Sequence, residues 1–252
     1  MSSKIVLITG GSLGLGRDMA LSVAAKGMDV ILTYRANEKE AGAVVQEIEA
    51  MGRQAVALPL DMAAFSTLGA FVSSLKEVLQ KKWNTGSFDF LVHNAGMGAT
   101  IPFLEVTEDV FNEFLNVHFK SVYFLTQQCV PLMNAGGGII TISTGTTRFS
   151  NPGYSVYASM KGAIEVFTKY LAKELGARGL RANVVAPGPV ETDFNKAAIR
   201  SNPEMKARLS GLSPLGRVGK ADDIGGVVAF LCSPEAAWIN AQRIEVSGGI
   251  NS

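Results

Sequence analysis

Short apolar runs alternate along this chain with longer stretches of helical periodicity. The apolar runs are rich in β-branched residues and lack the polar alternation of a half-exposed strand, a pattern typical of strands buried on both faces. These runs lie at residues 4–9, 29–34, 54–60, 88–93, 138–143, 181–186 and 243–246. Their alternation with helices predicts an α/β fold with a doubly wound, seven-stranded parallel sheet and helices on both faces.

Glycines mark where the helical stretches stop and where the alternation fails. Three stretches are predicted to end at Gly27, Gly52 and Gly179, since glycine often follows a helix C-terminus. The segment 191–220 interrupts the rhythm, and its breakers are Pro203, Gly211, Pro214, Gly216 and Gly219. We expect this segment to form a mobile lid over a substrate.

The composition narrows the class of protein. The chain of 252 residues, 47% hydrophobic and 18% charged, is typical of a soluble globular protein and suits one domain over residues 1–252. The 23 Lys and Arg nearly balance the 22 Asp and Glu, so nothing indicates a nucleic acid partner. No apolar run approaches the roughly 18–20 residues that span a bilayer, and a predicted strand begins without a signal peptide before it. We therefore expect a cytoplasmic protein with no membrane partner.

Cysteines and histidines are too few for common metal or disulfide frameworks. Cys129 and Cys232 are too isolated for a disulfide framework or a thiolate metal site. His93 is expected to be a half-buried strand residue, and His118 is the only other histidine. A histidine-based metal cluster is thereby excluded, and the sequence predicts no metal.

A glycine-rich turn, TGGSLGLG, follows the first strand from Thr9 to Gly16. Glycines between a buried strand and a helix let backbone N–H groups reach a pyrophosphate, and the helix N-terminus adds positive potential. Such a turn alone could be a tight connection without a ligand, but its place between a strand and a helix favours a nucleotide. The residues expected at this phosphate end are Gly10, Ser12, Leu13, Gly14, Leu15 and Gly16.

A second candidate site lies in NPGYSVYASMKG, where Tyr157 and Lys161 are four residues apart. On a helix this spacing puts both side chains on one face, where they serve either packing or acid–base chemistry. A cation roughly 5 Å from a phenol, at an effective dielectric constant of about 20, contributes about 3 kcal/mol, or about two pKa units. We therefore expect Lys161 to lower the pKa of Tyr157 toward neutrality, where acid–base catalysis is most efficient.

Together these motifs resemble the short-chain dehydrogenase/reductase family. The turn matches the family's T-G-x-x-x-G-x-G fingerprint, and Tyr157 and Lys161 fit its Y-x-x-x-K pair. HNAG (93–96) resembles the N-N-A-G signature after strand four, and PGPVET (187–192) resembles the P-G motif after strand six. The matches keep the family's order as far as EVSGG (245–249). The resemblance implies a Rossmann-like fold and hydride transfer with a nicotinamide cofactor.

Four catalytic residues are implied by the resemblance. Tyr157 would be the general acid/base, and Lys161 would bind the nicotinamide ribose hydroxyls. The family's serine, 13 residues before the tyrosine, is Thr144 here, which keeps the hydroxyl but adds a methyl group. Ser143 is the weaker candidate, because it should point to the opposite face of the strand. Asn116 would kink its helix and hold a water that links the lysine to solvent.

The cofactor is predicted to be NADP(H). Tyr34 stands where an NAD-binding unit usually carries an acid, and Arg35 follows it. A guanidinium can grip a 2′-phosphate with two hydrogen bonds, and Ser12 would help. Leu13 is apolar where NADP(H)-preferring relatives often have a basic residue, so we expect NAD(H) to bind at lower affinity. Further contacts implied by the resemblance are Asp61, Met62, Asn94, Ala95, Gly96, Pro187, Gly188, Val190 and Thr192, with Tyr157 and Lys161.

The combined prediction is an NADPH-dependent ketone (carbonyl) reductase that forms a secondary alcohol reversibly. A 3-oxoacyl-thioester reductase of fatty acid synthesis would share all these residues, whereas an enoyl reductase is disfavoured because those relatives space the tyrosine and lysine more widely. A sensor that binds NADP(H) without catalysis is an alternative of another class, which the intact Tyr157–Lys161 pair disfavours. The family commonly forms homodimers or homotetramers through the helices that hold Asn116 and Tyr157.

Apolar residues beside the motifs suggest the small-molecule substrate. These residues are Met97, Phe149, Tyr154, Phe194 and Met205. They indicate an apolar or aromatic substrate, although such side chains are equally often plain core. Tyr154 is expected to start its helix or to line the pocket.

Overall fold

The apolar runs pair into one parallel sheet of seven strands, as predicted, in the order β3-β2-β1-β4-β5-β6-β7. The computed structural model describes residues 3–251, apart from the side chains at positions 195 and 196. The strands are β1 (Ile5–Ile8), β2 (Asp29–Tyr34), β3 (Ala55–Pro59), β4 (Phe88–His93), β5 (Met133–Ile142), β6 (Arg181–Pro187) and β7 (Arg243–Val246).

Helices connect the strands and cover the sheet. The α-helices are α1 (Gly14–Ala25), α2 (Glu38–Ala50), α3 (Leu68–Trp83), α4 (Glu108–Leu115), α5 (Ser121–Cys129), α6 (Ser155–Leu175), α7 (Phe194–Ser201), α8 (Pro203–Gly211) and α9 (Asp222–Leu231). A π-helical segment, Asn116–Lys120, joins α4 to α5 without a break. Short 3₁₀ turns lie at Phe65–Thr67, Phe103–Glu105, Val130–Leu132, Gly145–Thr147, Gly176–Arg178 and Pro234–Ala236.

Both faces of the sheet carry an apolar core, which explains why the strands lack polar alternation. Successive residues of β1 point to opposite faces: Ile5 and Leu7 pack with α3, α5 and α6, whereas Val6 and Ile8 pack with α1, α2 and α9. Each of these four side chains is at most 4% exposed. The sheet is therefore a rigid base for whatever its strand ends carry.

Strand β5 is the element whose bounds differ most from the prediction. Six strands begin and end within one residue of the predicted positions, but β5 starts at Met133 instead of 138. Its first residues, MNAGG, carry no apolar pattern, and the register against β4 shifts between Phe88 and Phe90. A Cβ on Gly137 would lie 1.9 Å from the Asp89 carbonyl oxygen, so glycine allows this close approach of the two strands.

The helices end shortly before the glycines that were predicted to stop them. Helix α1 stops before Gly27 and α2 before Gly52, and both glycines have positive φ, at 84° and 76°. Gly179, with φ 72°, ends the turn after α6 in the same way. These three predicted ends are confirmed.

Candidate active site

The candidate residues meet at the carboxyl edge of the sheet. The strand order reverses at β1, which lies between β2 and β4, and open α/β sheets form a crevice at such a reversal. The glycine-rich turn leaves β1 there, and the HNAG residues follow β4. Thr144 follows β5, and residues 187–192 follow β6, so one edge collects all four predicted motifs.

The phosphate end has a helix start that the protein's own side chains leave uncapped. Helix α1 begins at Gly14, and its N-cap residue Leu13 makes no side-chain hydrogen bond to the first turn. No acidic residue lies in that turn. The free N–H groups and the helix dipole therefore fit the pyrophosphate of a dinucleotide.

Close packing holds the glycine-rich turn against the end of β4. A Cβ on Gly16 would lie 2.0 Å from the Gly10 carbonyl oxygen, and one on Gly10 would lie 2.9 Å from the Ala95 Cα. The Asn94 side-chain amide donates to the carbonyl oxygens of Thr9 and Gly10, both at 3.0 Å. The N–H groups of Asn94 and Ala95 donate to Thr9 Oγ1 at 3.1 and 3.0 Å. Asn94 thus fastens the end of β4 to the turn, and no side chain fits between them.

Arg35 offers a free guanidinium at the end of β2. Its side chain is exposed, and within residues 3–251 no hydrogen bond or ion pair to it is found. The neighbouring Tyr34 is hydrogen-bonded to Glu38, and burial and this carboxylate raise the Tyr34 pKa. A free guanidinium beside a phenol fits a 2′-phosphate, whereas a carboxylate at Tyr34 would repel it. Ser12 is buried, 7% exposed, in the adjoining turn.

The other predicted cofactor residues lie along the same edge. The Asp61 carboxylate accepts from the Ala63 N–H at 2.9 Å, and Ser121 Oγ donates to the Met62 carbonyl oxygen at 2.7 Å. Gly188 follows β6, where a Cβ would lie 2.8 Å from the Ser247 Cα. The remaining members of this set described on that edge are Gly96, Pro187, Val190 and Thr192.

Tyr157 and Lys161 share one face of α6, and both are buried, at 8% and 5% exposed. The Thr144 hydroxyl lies beside the Tyr157 phenol, close enough to influence its pKa. The Lys161 ammonium lies 5.8 Å from the centre of the Tyr157 ring and donates to the Ile142 carbonyl oxygen at 2.7 Å. The structure therefore brings two hydroxyls and one cation together at the end of β5.

The direction of the Tyr157 pKa shift differs from our expectation. Burial raises the pKa of this phenol above its usual value of 10, while the hydrogen bond from Thr144 lowers it and does not outweigh the burial. Burial also lowers the pKa of Lys161 to about 8. Desolvation disfavours both charged forms more strongly than their mutual attraction favours them. The phenol consequently keeps its proton at neutral pH.

Ser143 points away from this cluster. Its Oγ donates to Glu165 Oε1 at 2.6 Å, and the residue is 2% exposed. Thr144 has an extended backbone, with φ −161° and ψ 155°, and starts the 3₁₀ turn that follows β5. Of the two hydroxyl residues, Thr144 is the one that reaches Tyr157.

Asn116 begins the π-helical segment between α4 and α5. The extra residue in a π turn frees a carbonyl from its usual helical partner, and such turns recur at functional sites. The resemblance implied a kink at Asn116, and the structure has π-helical backbone from this residue on. This segment also turns the helix face so that His118 points to Tyr157.

His118 is a site residue that the sequence argument missed. Its ring is 1% exposed and packs edge-on against Tyr157, with ring centres 5.2 Å apart. Its Nε2 lies 2.9 Å from the Met97 carbonyl oxygen, and burial holds its pKa well below 6.5. No spacing rule singled it out, because the π segment that aims it cannot be inferred from helical periodicity.

His93 is more buried than expected. It is 3% exposed, and its Nε2 lies 2.7 Å from Thr126 Oγ1. Burial and the nearby Lys161 charge lower its pKa to about 3, so it stays neutral. In the described residues, no group of three or more His, Cys, Asp or Glu side chains could hold a metal ion.

Of the predicted pocket residues, most lie around Tyr157. Tyr154 is the N-cap of α6, with its ring centre 6.4 Å from that of Tyr157, and Phe194 approaches from α7 at 6.0 Å. Met97 packs in the small apolar cluster that contains Tyr157. Phe149 lies over Gly145, where a Cβ would come within 2.8 Å of its ring.

Met205 does not belong to the cluster around Tyr157. It lies in the first turn of α8, where its N–H donates to Asn202 Oδ1 at 2.9 Å.

The segment 191–220 is held at its base, since Val190 pairs with Gly219 and the Glu191 N–H donates to the Gly219 carbonyl oxygen at 2.9 Å. No helix in the described part of the chain is long and apolar enough to cross a bilayer.

Known proteins resemble this chain over nearly its full length. A family model described as enoyl-(acyl carrier protein) reductase matches residues 10–251. The hydroxynaphthalene reductase arp2 of Aspergillus fumigatus is 35% identical over 252 residues, which cover 96% of this chain and 90% of that protein. The 3-oxoacyl-[acyl-carrier-protein] reductase FabG of Staphylococcus aureus is 34% identical over 98% of both chains. The crystal structure of the angucycline C-6 ketoreductase LanV with bound NADP has a TM-score of 0.93 at 33% identity and covers 98% of this chain and 95% of its own.

Proposed function

Because the chain belongs to the short-chain dehydrogenase/reductase family, we propose that it is an NADPH-dependent ketoreductase that forms a secondary alcohol reversibly. The observation that carries the proposal is the contact of Thr144, Tyr157 and Lys161 at the end of β5. Bound NADPH would supply the hydride that reduces the carbonyl carbon.

Tyr157 is proposed to donate a proton to the carbonyl oxygen. Its raised pKa keeps the phenol protonated at neutral pH, which is the state that a general acid needs. The Thr144 hydroxyl has one proton, which would turn from the phenol to the carbonyl oxygen and donate to it as negative charge develops there.

Lys161 is proposed to bind the ribose of the cofactor, and Lys161 and Asn116 together are proposed to return a proton to Tyr157. Below pH 8 the Lys161 ammonium is charged, and beyond its bond to Ile142 it has donors for ribose hydroxyls. Asn116 begins the π segment, and its side-chain amide would hold a water on the path from the lysine to solvent. These two residues would restore the proton that Tyr157 gives up.

The cofactor is proposed to be NADP(H), with NAD(H) bound more weakly. The uncapped start of α1 would hold the pyrophosphate, and Arg35 would hold the 2′-phosphate with Ser12 beside it. The crystal structure of LanV contains NADP. The nicotinamide amide would be oriented by the Val190 backbone and the Thr192 hydroxyl.

The substrate is proposed to be a planar, fused-ring aromatic ketone. Tyr154 and Phe194, which are not fully buried, flank the Tyr157 ring at centre distances of 6.4 and 6.0 Å, and such aromatic faces favour stacking on flat apolar molecules. The names of two similar proteins refer to a hydroxynaphthalene and to an angucycline. A 3-oxoacyl thioester is the second candidate, because FabG is 34% identical. The lid at 191–220 would close over either substrate.

The first experiment measures cofactor choice and turnover together. NADPH and NADH are titrated by fluorescence on the wild type, on Arg35→Ala and on the control Arg53→Ala, a half-buried arginine at the opposite end of the strands. Loss of A340 is followed with a fused-ring ketone, a simple ketone and a 3-oxoacyl thioester. We expect NADPH preference to collapse only in Arg35→Ala and the fused-ring ketone to be reduced fastest. Tight NADPH binding without turnover of any ketone would instead indicate a sensor.

A homodimeric or homotetrameric assembly and a cytoplasmic location complete the proposal. Helix α6 exposes Val166 and Tyr170, at 55% and 62%, and α5 exposes Tyr123 at 41%, whose ring stacks on Phe167 of α6. Apolar side chains on adjacent helices fit a helix–helix interface between copies. Sedimentation of the wild type and of Tyr170→Asp tests the assembly, since the charge should shift the protein toward smaller species. Fractionation of the source cells tests the location.

A further inference from the structure

The backbone at the end of β5 is held on both sides of Thr144. On one side, Ser143 Oγ donates to Glu165 Oε1 at 2.6 Å. On the other, Arg243 Nη2 donates to the Thr144 carbonyl oxygen at 3.0 Å. Thr144 Oγ1 accepts from the Thr146 N–H and from Thr146 Oγ1, both at 3.3 Å, which leaves its own proton to donate toward Tyr157.

Glu165 and Arg243 form a shielded ion pair that joins these two contacts. Arg243 Nε donates to Glu165 Oε1 at 2.8 Å, and the two side chains are only 18% and 17% exposed. Glu165 Oε1 also accepts from Thr147 Oγ1 at 2.7 Å, in the turn that Thr144 starts. Charge-assisted bonds in a partly desolvated site are stronger and geometrically more restrictive than those of a surface pair.

A second carboxylate fixes the guanidinium itself. Arg243 Nη1 donates to Glu245 Oε2 at 3.2 Å, and Nη2 also donates to Thr147 Oγ1 at 3.1 Å. Glu245 is two residues along β7, and its side chain is 16% exposed. The guanidinium therefore has four acceptors, which lie on α6, on β7 and in the segment after β5.

The helix register connects this ion pair to the reacting groups. Tyr157, Lys161 and Glu165 follow one another at intervals of four residues on α6, so they share a face. Glu165 is thus placed by the helix that places Tyr157, and it holds the strand end that places Thr144. A shift of the strand end relative to α6 would separate the two hydroxyls.

We propose that Arg243 and Glu165 are positioning residues for the reaction, which clamp the backbone of Thr144 so that its hydroxyl and that of Tyr157 meet one carbonyl oxygen. This inference rests on the proposed ketone reduction. Neither residue contacts Tyr157 in the described hydrogen bonds and ring contacts, so both act through Thr144.

A double-mutant cycle tests the clamp. Arg243→Met should lower kcat by about 10- to 100-fold, since a misplacement of about 1 Å can cost that much. NADPH affinity and KM should change less than about threefold, and Arg243→Lys should recover part of kcat because it can still donate to one carbonyl. In the Thr144→Val background, where no hydroxyl is left to position, Arg243→Met should cost less than about threefold. Losses that multiply in the double mutant would overturn the inference, as they would show a general structural role.

Two controls separate the possible failures. Arg181→Met removes another partly buried arginine, whose Nη2 donates to the Leu231 carbonyl oxygen at 3.0 Å, and should leave kcat unchanged. If the wild type reduces no ketone, the proposed function fails, and a crystal structure of Arg243→Met then decides the inference. Thr144 must have moved away from Tyr157 in that structure, and an unchanged Thr144–Tyr157 hydrogen bond would overturn the clamp.

Discussion

The cofactor side and the substrate side of the candidate site differ in the groups that form them: backbone atoms on the first, exposed side chains on the second. On the cofactor side, glycines and backbone hydrogen bonds lock the turn after β1 against Asn94, with contacts that leave no room for a Cβ. On the substrate side, α8 has no buried residue, and Phe194 of α7 is 44% exposed. On the proposed function, the first side would recognise its ligand with main-chain geometry, and the second with side chains that can be exchanged at little cost to the fold.

The largest expected effect comes from removing the Tyr157 hydroxyl, which should lower kcat without weakening NADPH binding. Tyr157→Phe keeps the ring that packs on His118 but removes the proposed proton donor. We expect kcat to fall by about 10²- to 10⁴-fold, while the NADPH dissociation constant stays within about twofold. Fluorescence titration and A340 assays measure the two quantities. Tyr154→Phe is the matched control, and a variant at position 157 that keeps the wild-type rate would refute the assigned role.

A single methyl group added to the glycine-rich turn should disrupt the cofactor side of the site. In Gly16→Ala the new Cβ would lie 2.0 Å from the Gly10 carbonyl oxygen, which is backbone and cannot move aside. We expect unfolding in urea to require about 1–3 kcal/mol less, together with weaker NADPH binding. Gly42→Ala, in α2 with no atom within 4 Å of the new Cβ, should instead stabilise the protein by about 0.5–1 kcal/mol. Equal effects of the two substitutions would contradict this account of the turn.

Loss of the Lys161 charge at alkaline pH should lower kcat/KM, because this ammonium is proposed to serve both the cofactor and the proton path. Its pKa is lowered to about 8, so above this pH the free enzyme loses the ammonium, and kcat/KM should fall about tenfold per pH unit. Between pH 8 and 10 the unfolded chain still holds the proton that the folded chain has lost, so this group makes the protein more stable as pH rises. Activity and stability should therefore move in opposite directions over this window. A parallel fall of the two would attribute the activity loss to unfolding.

The smallest effect is expected on the substrate side. Phe194→Ala removes a ring 6.0 Å from Tyr157, and we expect a two- to tenfold rise in KM for a fused-ring ketone. The melting temperature should change by less than about 1 °C because the side chain is half-exposed. Phe230→Ala, a ring of similar exposure in α9, serves as the control. A lower melting temperature with unchanged KM would assign Phe194 to packing.

The fold was readable from the sequence because both faces of the sheet are apolar. Runs such as DVILTY and FDFLVH have the bounds of β2 and β4, and the glycines after α1 and α2 end those helices as expected. The start of β5 was not readable, because MNAGG pairs with β4 through glycine contacts and not through apolar side chains. Local patterning predicts elements whose stability comes from burial, and it misses those that depend on close backbone approach.

The site was readable only in part for a related reason. Spacing on a helix predicted that Tyr157 and Lys161 would meet, but it gave the wrong direction for the Tyr157 pKa, because a sequence does not state the depth of burial. His118 depends on the π segment, and Arg243 reaches Thr144 from 99 positions away along the chain. Contacts of this kind are set by the tertiary fold and carry no local signature.

The junction of Val190 with Gly219 has a consequence for how this protein could diversify. The segment 191–220 starts and ends at this junction, just beyond β6, and Ser213 Oγ inside it donates to the Gly248 carbonyl oxygen at 2.8 Å. A change in the length of such an excursion costs little chain entropy, about 0.6 kcal/mol per doubling. We therefore expect that changes of length or sequence after Thr192 and before Gly219 can alter which ketones are accepted, while the cofactor contacts and the proton donor stay in place.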